Sequence, residues 1–218
     1  FYSITILLIS INIMRQRNEY AIFTNRHKKK LVFYPVAKNA NSSAKLFFLK
    51  HLGLENKFYF LEDDIPRYKI NQSLIDENKE KKNLISFLPS YTPFKKIDVD
   101  EKCCLIRDPV NRFISCYNNR ILYHRDLAFN NYSIDQVIEK LENNLFENKH
   151  FLPQSFWLGN NINYFTIVAN VSNIKIFETK VNNFFENKIL FPHIQTGKSE
   201  LKISLNKEQL KKIKKIYS

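Results

Sequence analysis

The sequence predicts an α/β fold: a central, mostly parallel β-sheet flanked by helices on both faces. Two stretches carry this prediction, residues 31–52 and 103–121, because each has the pattern of a buried strand, a tight turn and an amphipathic helix. Ligands in such folds bind beyond the carboxyl ends of the parallel strands. The chain has 218 residues, 44% of them hydrophobic, which is enough to bury a substantial core in one domain.

The downstream unit starts with the apolar run Cys103–Ile106, which has the length of a buried strand. Arg107 interrupts the run, and Asp108 followed by Pro109 is a strong helix-start signal, because aspartate caps free amides and proline has no amide hydrogen. Apolar residues then recur at helical spacing as far as Ile121. The neighbouring polar face carries Arg112, Ser115 and Asn119. This pattern predicts either an anion site at the turn or an ordinary amphipathic helix with solvated arginines.

The upstream unit repeats the plan. Leu31–Tyr34 is rich in strand-forming residues, and residues 35–41 form a loop that contains Lys38. We expect Asn41 or Ser42 to cap the helix that follows. A lysine, loop amides and the hydroxyls of Ser42 and Ser43 at a helix start are typical of a phosphate cradle. The loop lacks the glycines of a Walker A motif.

The net charge of +13 favours anionic partners: nucleic acid, an anionic membrane, a nucleotide cofactor or an acidic glycan. Much of the excess lies in the runs Lys28–Lys30 and Lys211–Lys215, which are typical of solvated faces. The three cysteines show no CxxC pair and no zinc spacing, so reduced thiols and a cytoplasmic setting are expected. An extracytoplasmic setting stays open.

Together these residues resemble the carbohydrate sulfotransferase family (sulfotransferase family 2). Lys38 with the small-residue loop and Ser42-Ser43 is similar to that family's 5′-phosphosulfate loop. Arg107-Asp108-Pro109, with Arg112, Ser115 and Tyr117, is similar to its 3′-phosphate motif. The segments His150–Gln154 and Phe191–Ile194, and the closing helix after residue 200, agree in order. The resemblance covers roughly residues 29–218.

The resemblance implies 3′-phosphoadenosine 5′-phosphosulfate (PAPS) as sulfate donor, a carbohydrate or glycan as acceptor, and no metal. It implies that Lys38 is catalytic and also binds the cofactor. The other cofactor-binding residues that it implies are Asn39, Asn41, Ser42, Ser43, Arg107, Ser115 and Lys198. Arg107 and Ser115 would hold the 3′-phosphate.

The loop departs from the family pattern, because Ala37 replaces the proline usual before the lysine and the loop has no glycine. We expect Asn39 and Asn41 to supply left-handed backbone in place of glycine, since asparagine adopts it more easily than other residues.

The acceptor hydroxyl needs a general base, and His150 is our choice because histidine titrates near neutrality. A structural role for a lone histidine is the alternative. The rival bases are His124, Glu55 and Glu178, of which Glu178 alternatively orients backbone or cofactor.

Two other functions stay open. A kinase-like phosphate-loop enzyme is disfavoured by the missing glycines, and the GKS of Thr196–Ser199 lacks the glycine expected at Pro192. A basic nucleic-acid-binding protein fits the charge, but no known module is present. We therefore expect no nucleic-acid partner.

Residues outside the two units complete the expectations. Residues 1–28 form an N-terminal extension of one domain over 1–218, in which Phe1–Met14 is a buried strand or the remnant of a membrane anchor or signal segment. Without an initiating methionine, the chain is expected to be a fragment or a trimmed product. Truncation at the C-terminus is a separate expectation. A cytoplasmic location is the first expectation, with peripheral or anchored membrane association left open, and a Golgi membrane is the alternative in a eukaryote.

Local patterns add further elements. A capping box at Ser133–Gln136 predicts a helix. Tyr164–Val168 and Ile174–Phe177 are predicted strands, with a short helix after Glu178. The polar stretch 62–83 shapes the acceptor side or is a surface loop without a role.

Overall fold

A computed structural model describes residues 18–55, 59–62, 65–68, 84–90, 94–127, 129, 131–146, 148–194 and 203–218. The predictions for Phe1–Met14, for most of 62–83 and for Thr196–Ser199, including Lys198, lie outside these residues. Within the described ranges, no helix combines the length and apolar character needed to cross a membrane.

The strands are β1 (Asn18–Thr24), β2 (Lys30–Tyr34), β3 (Tyr59–Glu62), β4 (Ile65–Tyr68), β5 (Ile85–Ser90), β6 (Glu101–Ile106) and β7 (Ile167–Asn170). The helices are α1 (Asn41–Leu52), α2 (Pro109–Tyr117), α3 (Ile134–Glu142), α4 (Gln154–Leu158), α5 (Ile174–Phe185) and α6 (Lys207–Ile216). A π-helical segment, Asn118–Tyr123, continues α2, and 3₁₀ turns span Lys149–Phe151, Ile162–Tyr164 and Val171–Asn173.

Five strands form one sheet in the order β5-β1-β2-β6-β7, and β3 pairs with β4. Strand β2 is parallel to β6, and β6 is parallel to β7. Strand β1 is antiparallel to both of its neighbours, so the other four strands share one direction. The helices cover both faces, which confirms the predicted α/β fold.

Alternation along the strands divides the core into two layers. On one face, Phe33 and Leu105 pack with Phe47 and Phe48 of α1 and Phe177 of α5. The opposite face has a separate cluster of buried side chains, drawn from the strands, from α4 and from the loops beside it: Tyr20, Val32, Tyr34, Cys104, Trp157, Leu158 and Phe165. A third cluster joins α2, α3 and α6. The sheet is therefore held from both sides, and its strand ends are fixed relative to one another.

Local predictions are confirmed in part. The strand predicted at Tyr164–Val168 is shifted: Tyr164 lies in a 3₁₀ turn, and the strand is β7, Ile167–Asn170. The capping box at Ser133–Gln136 is present in full at the start of α3. The predicted strand at Ile174–Phe177 is wrong, because these residues are the first turn of α5. Buried Phe177, Val181 and Phe184 recur at helical spacing, so the longer helical stripe prevails over the local β-propensity.

Candidate active site

Two turns follow the ends of the adjacent parallel strands β2 and β6. The first, residues 35–40, leads into α1, and the second, Arg107-Asp108, leads into α2. Parallel strands bring their carboxyl ends to one edge of the sheet, which is where ligands bind in this class. The guanidinium Nη1 of Arg107 donates a hydrogen bond to the carbonyl oxygen of Lys38 at 3.0 Å. The turns that the sequence singled out are therefore in direct contact.

The first turn reverses direction through left-handed backbone at Lys38 (φ 69°) and Ala40 (φ 55°). The expectation that Asn39 and Asn41 would supply this backbone is wrong. Asn39 is 1% exposed, and its amide nitrogen donates to the carbonyl of Leu105 at 2.7 Å. The Asn39 side chain thus binds the end of β6, and the residues on either side of it adopt the left-handed backbone.

Helix α1 begins without a side-chain cap. Its N-cap residue is Ala40, which corrects the prediction that Asn41 or Ser42 caps the helix. Alanine has no oxygen to bind the first amides, so no cap side chain occupies them. A helix start attracts anions through its first amides and the positive end of its dipole.

The two serines of α1 have different surroundings. Ser42 is half-buried in the first turn. Ser43 is buried, and its hydroxyl accepts a hydrogen bond from the amide of Ile194 at 3.2 Å. That bond ties the segment Phe191–Ile194 to the start of α1. Asn41 contributes a buried side-chain oxygen that has no hydrogen-bond partner among the described residues.

The second turn is held by a capped helix start and by Gln154. The Asp108 carboxylate accepts from the amide of Asn111 at 2.9 Å, as its position predicts. The side-chain amide of Gln154 binds both backbone groups of Arg107: Oε1 accepts from its N–H at 3.0 Å, and Nε2 donates to its carbonyl at 2.8 Å. Oε1 also accepts from Asn39 at 2.6 Å. Gln154 therefore joins the two turns, a role that the sequence did not reveal because its partners are remote in the chain.

Arg112 is the other residue whose role the sequence missed. It is 2% exposed, whereas an ordinary amphipathic helix would leave it solvated. Ser115, one turn further along α2, is half-buried on the same helix. The helical spacing placed Arg112 correctly beside the apolar stripe, but nothing local indicated its burial.

His150 lies in the 3₁₀ turn Lys149–Phe151, near enough to Lys38 and Arg112 for their charges to act on its ring. Its Nδ1 is 2.6 Å from the side-chain oxygen of Asn148, which also accepts from the His150 amide at 2.9 Å. This network assigns the ring hydrogen to Nδ1 and leaves the lone pair on Nε2. Burial, together with the charges of Lys38, Arg120, Lys149 and Arg112, lowers the pKa of His150 to about 3.

The arrangement therefore has an excess of positive charge that a bound anion would offset. Burial, and repulsion by Arg112, also lower the pKa of Arg107. The Asp108 carboxylate is occupied at the start of α2. An amine, a guanidinium and a helix start without a capping side chain, at two touching turns, fit a ligand with phosphate groups at two ends. Such a ligand would raise the pKa of His150, because its charge favours the imidazolium.

The rival bases have other surroundings. Glu178 accepts from the amide of Phe191 at 2.8 Å and binds the ammonium of Lys175, and these contacts lower the pKa of Glu178. It therefore orients backbone, as one of the sequence interpretations held. Glu55 follows the far end of α1, about 18 Å from the helix start by helical rise. His124 closes the π-helical segment after α2.

A cavity of about 790 Å³ lies at the opposite edge of the sheet, between the β1–β2 turn and the end of α5. Glu101 and Glu186 line it together with Lys29 and Lys180, so its lining is mixed in charge. In the part of the chain that the structure covers, no group of three or more His, Cys, Asp or Glu residues could hold a metal ion.

The family comparison agrees with this geometry. A model of the Sulfotransferase family matches residues 21–164, which include both turns and His150. Comparisons with curated proteins and with solved structures gave no match. Because the matched span is well over half of the chain, the protein belongs to the sulfotransferase family.

Proposed function

We propose that this chain transfers a sulfuryl group from PAPS to a hydroxyl group of a carbohydrate. The observation that carries the proposal is the contact of the Arg107 guanidinium with the Lys38 carbonyl. It joins the lysine-bearing turn and the arginine-bearing turn into one site at the edge of a parallel sheet. The sulfotransferase family generally uses this donor, and the excess positive charge of the site suits its phosphates.

Each residue then has a distinct task. The uncapped start of α1 and Lys38 bind the 5′ end of the nucleotide, while Arg107 and Ser115 bind its 3′-phosphate. The donor supplies an activated sulfuryl group that moves in line between two oxygens, so positioning and charge stabilisation provide most of the rate. Lys38 neutralises the negative charge that grows on the leaving oxygen.

His150 accepts the proton of the acceptor hydroxyl at Nε2. General-base assistance of this kind contributes roughly 10²–10⁴-fold. The pKa of about 3 keeps the ring neutral before ligands bind. Nucleotide phosphates offset the surrounding cations and make the imidazole a stronger base at the moment it is needed.

The acceptor class rests on resemblance. The two turns, the His150–Gln154 segment and the Phe191–Ile194 segment are similar in order to those of carbohydrate sulfotransferases. A carbohydrate also presents many hydroxyl groups of the kind that a neutral imidazole activates. We therefore expect a polysaccharide or another glycan as the acceptor.

Nucleotide binding and sulfate transfer test the proposal together. Adenosine 3′,5′-bisphosphate at about 100 times its Kd should stabilise the fold by about 2.7 kcal/mol, whereas ATP with magnesium should not. Labelled PAPS should transfer sulfate to at least one member of a polysaccharide panel. Stabilisation by ATP with magnesium alone would favour the kinase alternative, and steeply salt-dependent oligonucleotide binding would favour the nucleic-acid alternative.

Two variants test the site. Lys38→Ala should lower kcat by roughly 10²–10³-fold, the cost of one lost electrostatic donor. Arg107→Ala should weaken nucleotide binding by at least about 10-fold, the value of a lost charge-assisted hydrogen bond. Lys212→Ala is the control, because that lysine lies on α6 and pairs with Glu208 and Glu142. Full turnover in both site variants would overturn the site assignment.

A further inference from the structure

We propose that Arg112 is a positioning residue that holds the Lys38 turn and the His150 turn in register for sulfuryl transfer, without binding the nucleotide itself. The inference rests on the proposed function.

The guanidinium of Arg112 bridges the Lys38 turn (residues 35–40) and the His150 turn (Lys149–Phe151) through their backbone. Its Nε donates to the carbonyl of Ala37 at 3.1 Å, and its Nη2 donates to the carbonyl of His150 at 2.9 Å. Ala37 directly precedes Lys38, so one planar group fixes the backbone beside the amine and the backbone of the imidazole. The separation of the two carbonyls is then set by the rigid geometry of the guanidinium.

A second contact from the same helix supports this arrangement. Cys116 follows Arg112 by one helical turn, and its thiol donates to the same carbonyl of His150 at 2.9 Å. Both residues are buried, with exposed fractions of 2% for Arg112 and 0% for Cys116. Helix α2 therefore holds the His150 carbonyl with two donors, and its own start is fixed by the Asp108 cap.

Arg112 and Arg107 differ in burial and in the hydrogen bonds that their guanidinium groups donate. Two nitrogens of Arg112 are directed at carbonyls of different segments, and almost none of the side chain reaches solvent. Arg107 is only half-buried, and it lies at the turn itself. Arg112 donates to two backbone carbonyls and exposes only 2% of its surface, so it offers a nucleotide phosphate little access, and we place it between the turns rather than on the ligand.

The substitution Arg112→Lys tests the role, because lysine keeps the charge but offers a single point in place of a planar fork. Misplacing a catalytic group by about 1 Å costs on the order of 10²-fold in rate. We expect kcat to fall by roughly 10–10²-fold while the Kd for adenosine 3′,5′-bisphosphate changes by less than about 3-fold. In the comparator Arg107→Lys, the Kd for adenosine 3′,5′-bisphosphate should rise by a larger factor than kcat falls. Arg26→Lys is the matched control, since this arginine is exposed and pairs with Glu186 at the opposite edge of the sheet.

Cys116→Ala provides a second variant that changes only one sulfur atom. It should lower kcat several-fold with an unchanged Kd, and it decides the question if Arg112→Lys does not fold. If Kd rises in parallel with the fall in kcat in Arg112→Lys, the residue is a phosphate ligand and the inference is overturned. An unchanged kcat in folded Arg112→Lys would also overturn the inference. If Arg112→Lys does not fold, an unchanged kcat in Cys116→Ala would overturn it instead. Failure of the wild-type chain to transfer sulfate would instead refute the proposed function.

Discussion

Replacing Ala40 by glycine should leave the protein as stable or more stable, although the same change elsewhere in α1 should weaken it. Ala40 has a left-handed backbone, φ 55°, and it is the N-cap of α1 without a side-chain cap. Its β-carbon makes this conformation unfavourable, and glycine has no such carbon. The substitution therefore probes the strain in the turn at residues 35–40 directly.

The size of the effect follows from three contributions. Relief of left-handed backbone at a non-glycine residue amounts to about 1–2 kcal/mol. Against this, glycine makes the unfolded chain more flexible, which costs about 0.4–1 kcal/mol. Loss of the half-buried methyl group costs about 0.4 kcal/mol, half of the value for a fully buried methylene. The balance is a stabilisation of about 0.4 kcal/mol.

The matched control is Ala44→Gly, one helical turn further along. Ala44 is 0% exposed in the interior of α1, so glycine there loses about 1 kcal/mol of helix propensity and about 0.8 kcal/mol of burial. The two variants should differ by about 2 kcal/mol in urea denaturation, with unchanged m-values. In thermal melts this is about 4–8 °C for a chain of this size.

The sign of the difference decides the outcome. If Ala40→Gly is destabilised as much as Ala44→Gly, the left-handed strain at position 40 does not exist. Ala40→Val gives a second check, since a β-branched residue should be worse than alanine at this φ. The shift in melting temperature caused by adenosine 3′,5′-bisphosphate should persist in Ala40→Gly, because the backbone of the turn is kept.

Two further predictions concern the residues around the turns. The pKa of His150 falls from 6.5 to about 3 on folding, so below pH 6.5 the unfolded chain binds a proton that the folded chain does not. The contribution of neutral His150 to the free energy of unfolding is therefore complete above pH 6.5 and is lost as the pH falls toward 3. The urea midpoint should drop between pH 7 and 5, and it should drop less in His150→Gln. Gln154→Leu should cost about 2–4 kcal/mol, because it leaves the amide and carbonyl of Arg107 and the amide of Asn39 without their partner. The control Gln136→Leu, at the exposed capping box, should cost about 1 kcal/mol, and an equal loss in the two variants would contradict the bridging role of Gln154.

Much of the fold was predictable because its signals are local. The strand at Leu31–Tyr34, the helix start at Asp108 and Pro109, and the capping box at Ser133–Gln136 each depend on neighbours in the chain. Where a longer pattern competed with a short one, as at Ile174–Phe177, the local prediction failed. The short run has β-branched residues, but its burial follows the period of the whole helix.

For the candidate site, the sequence predicted which charged groups would take part, but not which contacts join their segments. Lys38, Arg107 and His150 were identified from the sequence, and the structure brings their segments together. The residues that join them, Arg112 and Gln154, were not identified as joining residues. Arg112 binds carbonyls that lie 75 and 38 positions away in the chain. Gln154 binds Arg107, which lies 47 positions away.

The sequence by itself therefore determined the two strand–turn–helix units and the charged groups that they carry, because short-range propensity and capping set both. Only the tertiary structure decided that Arg112 is buried, that the backbone of Lys38 and Ala40 takes the left-handed form, and that Gln154 spans two turns. These features arise where distant segments must satisfy one another's backbone groups away from water. No pattern of nearest neighbours encodes which carbonyl a buried guanidinium will meet.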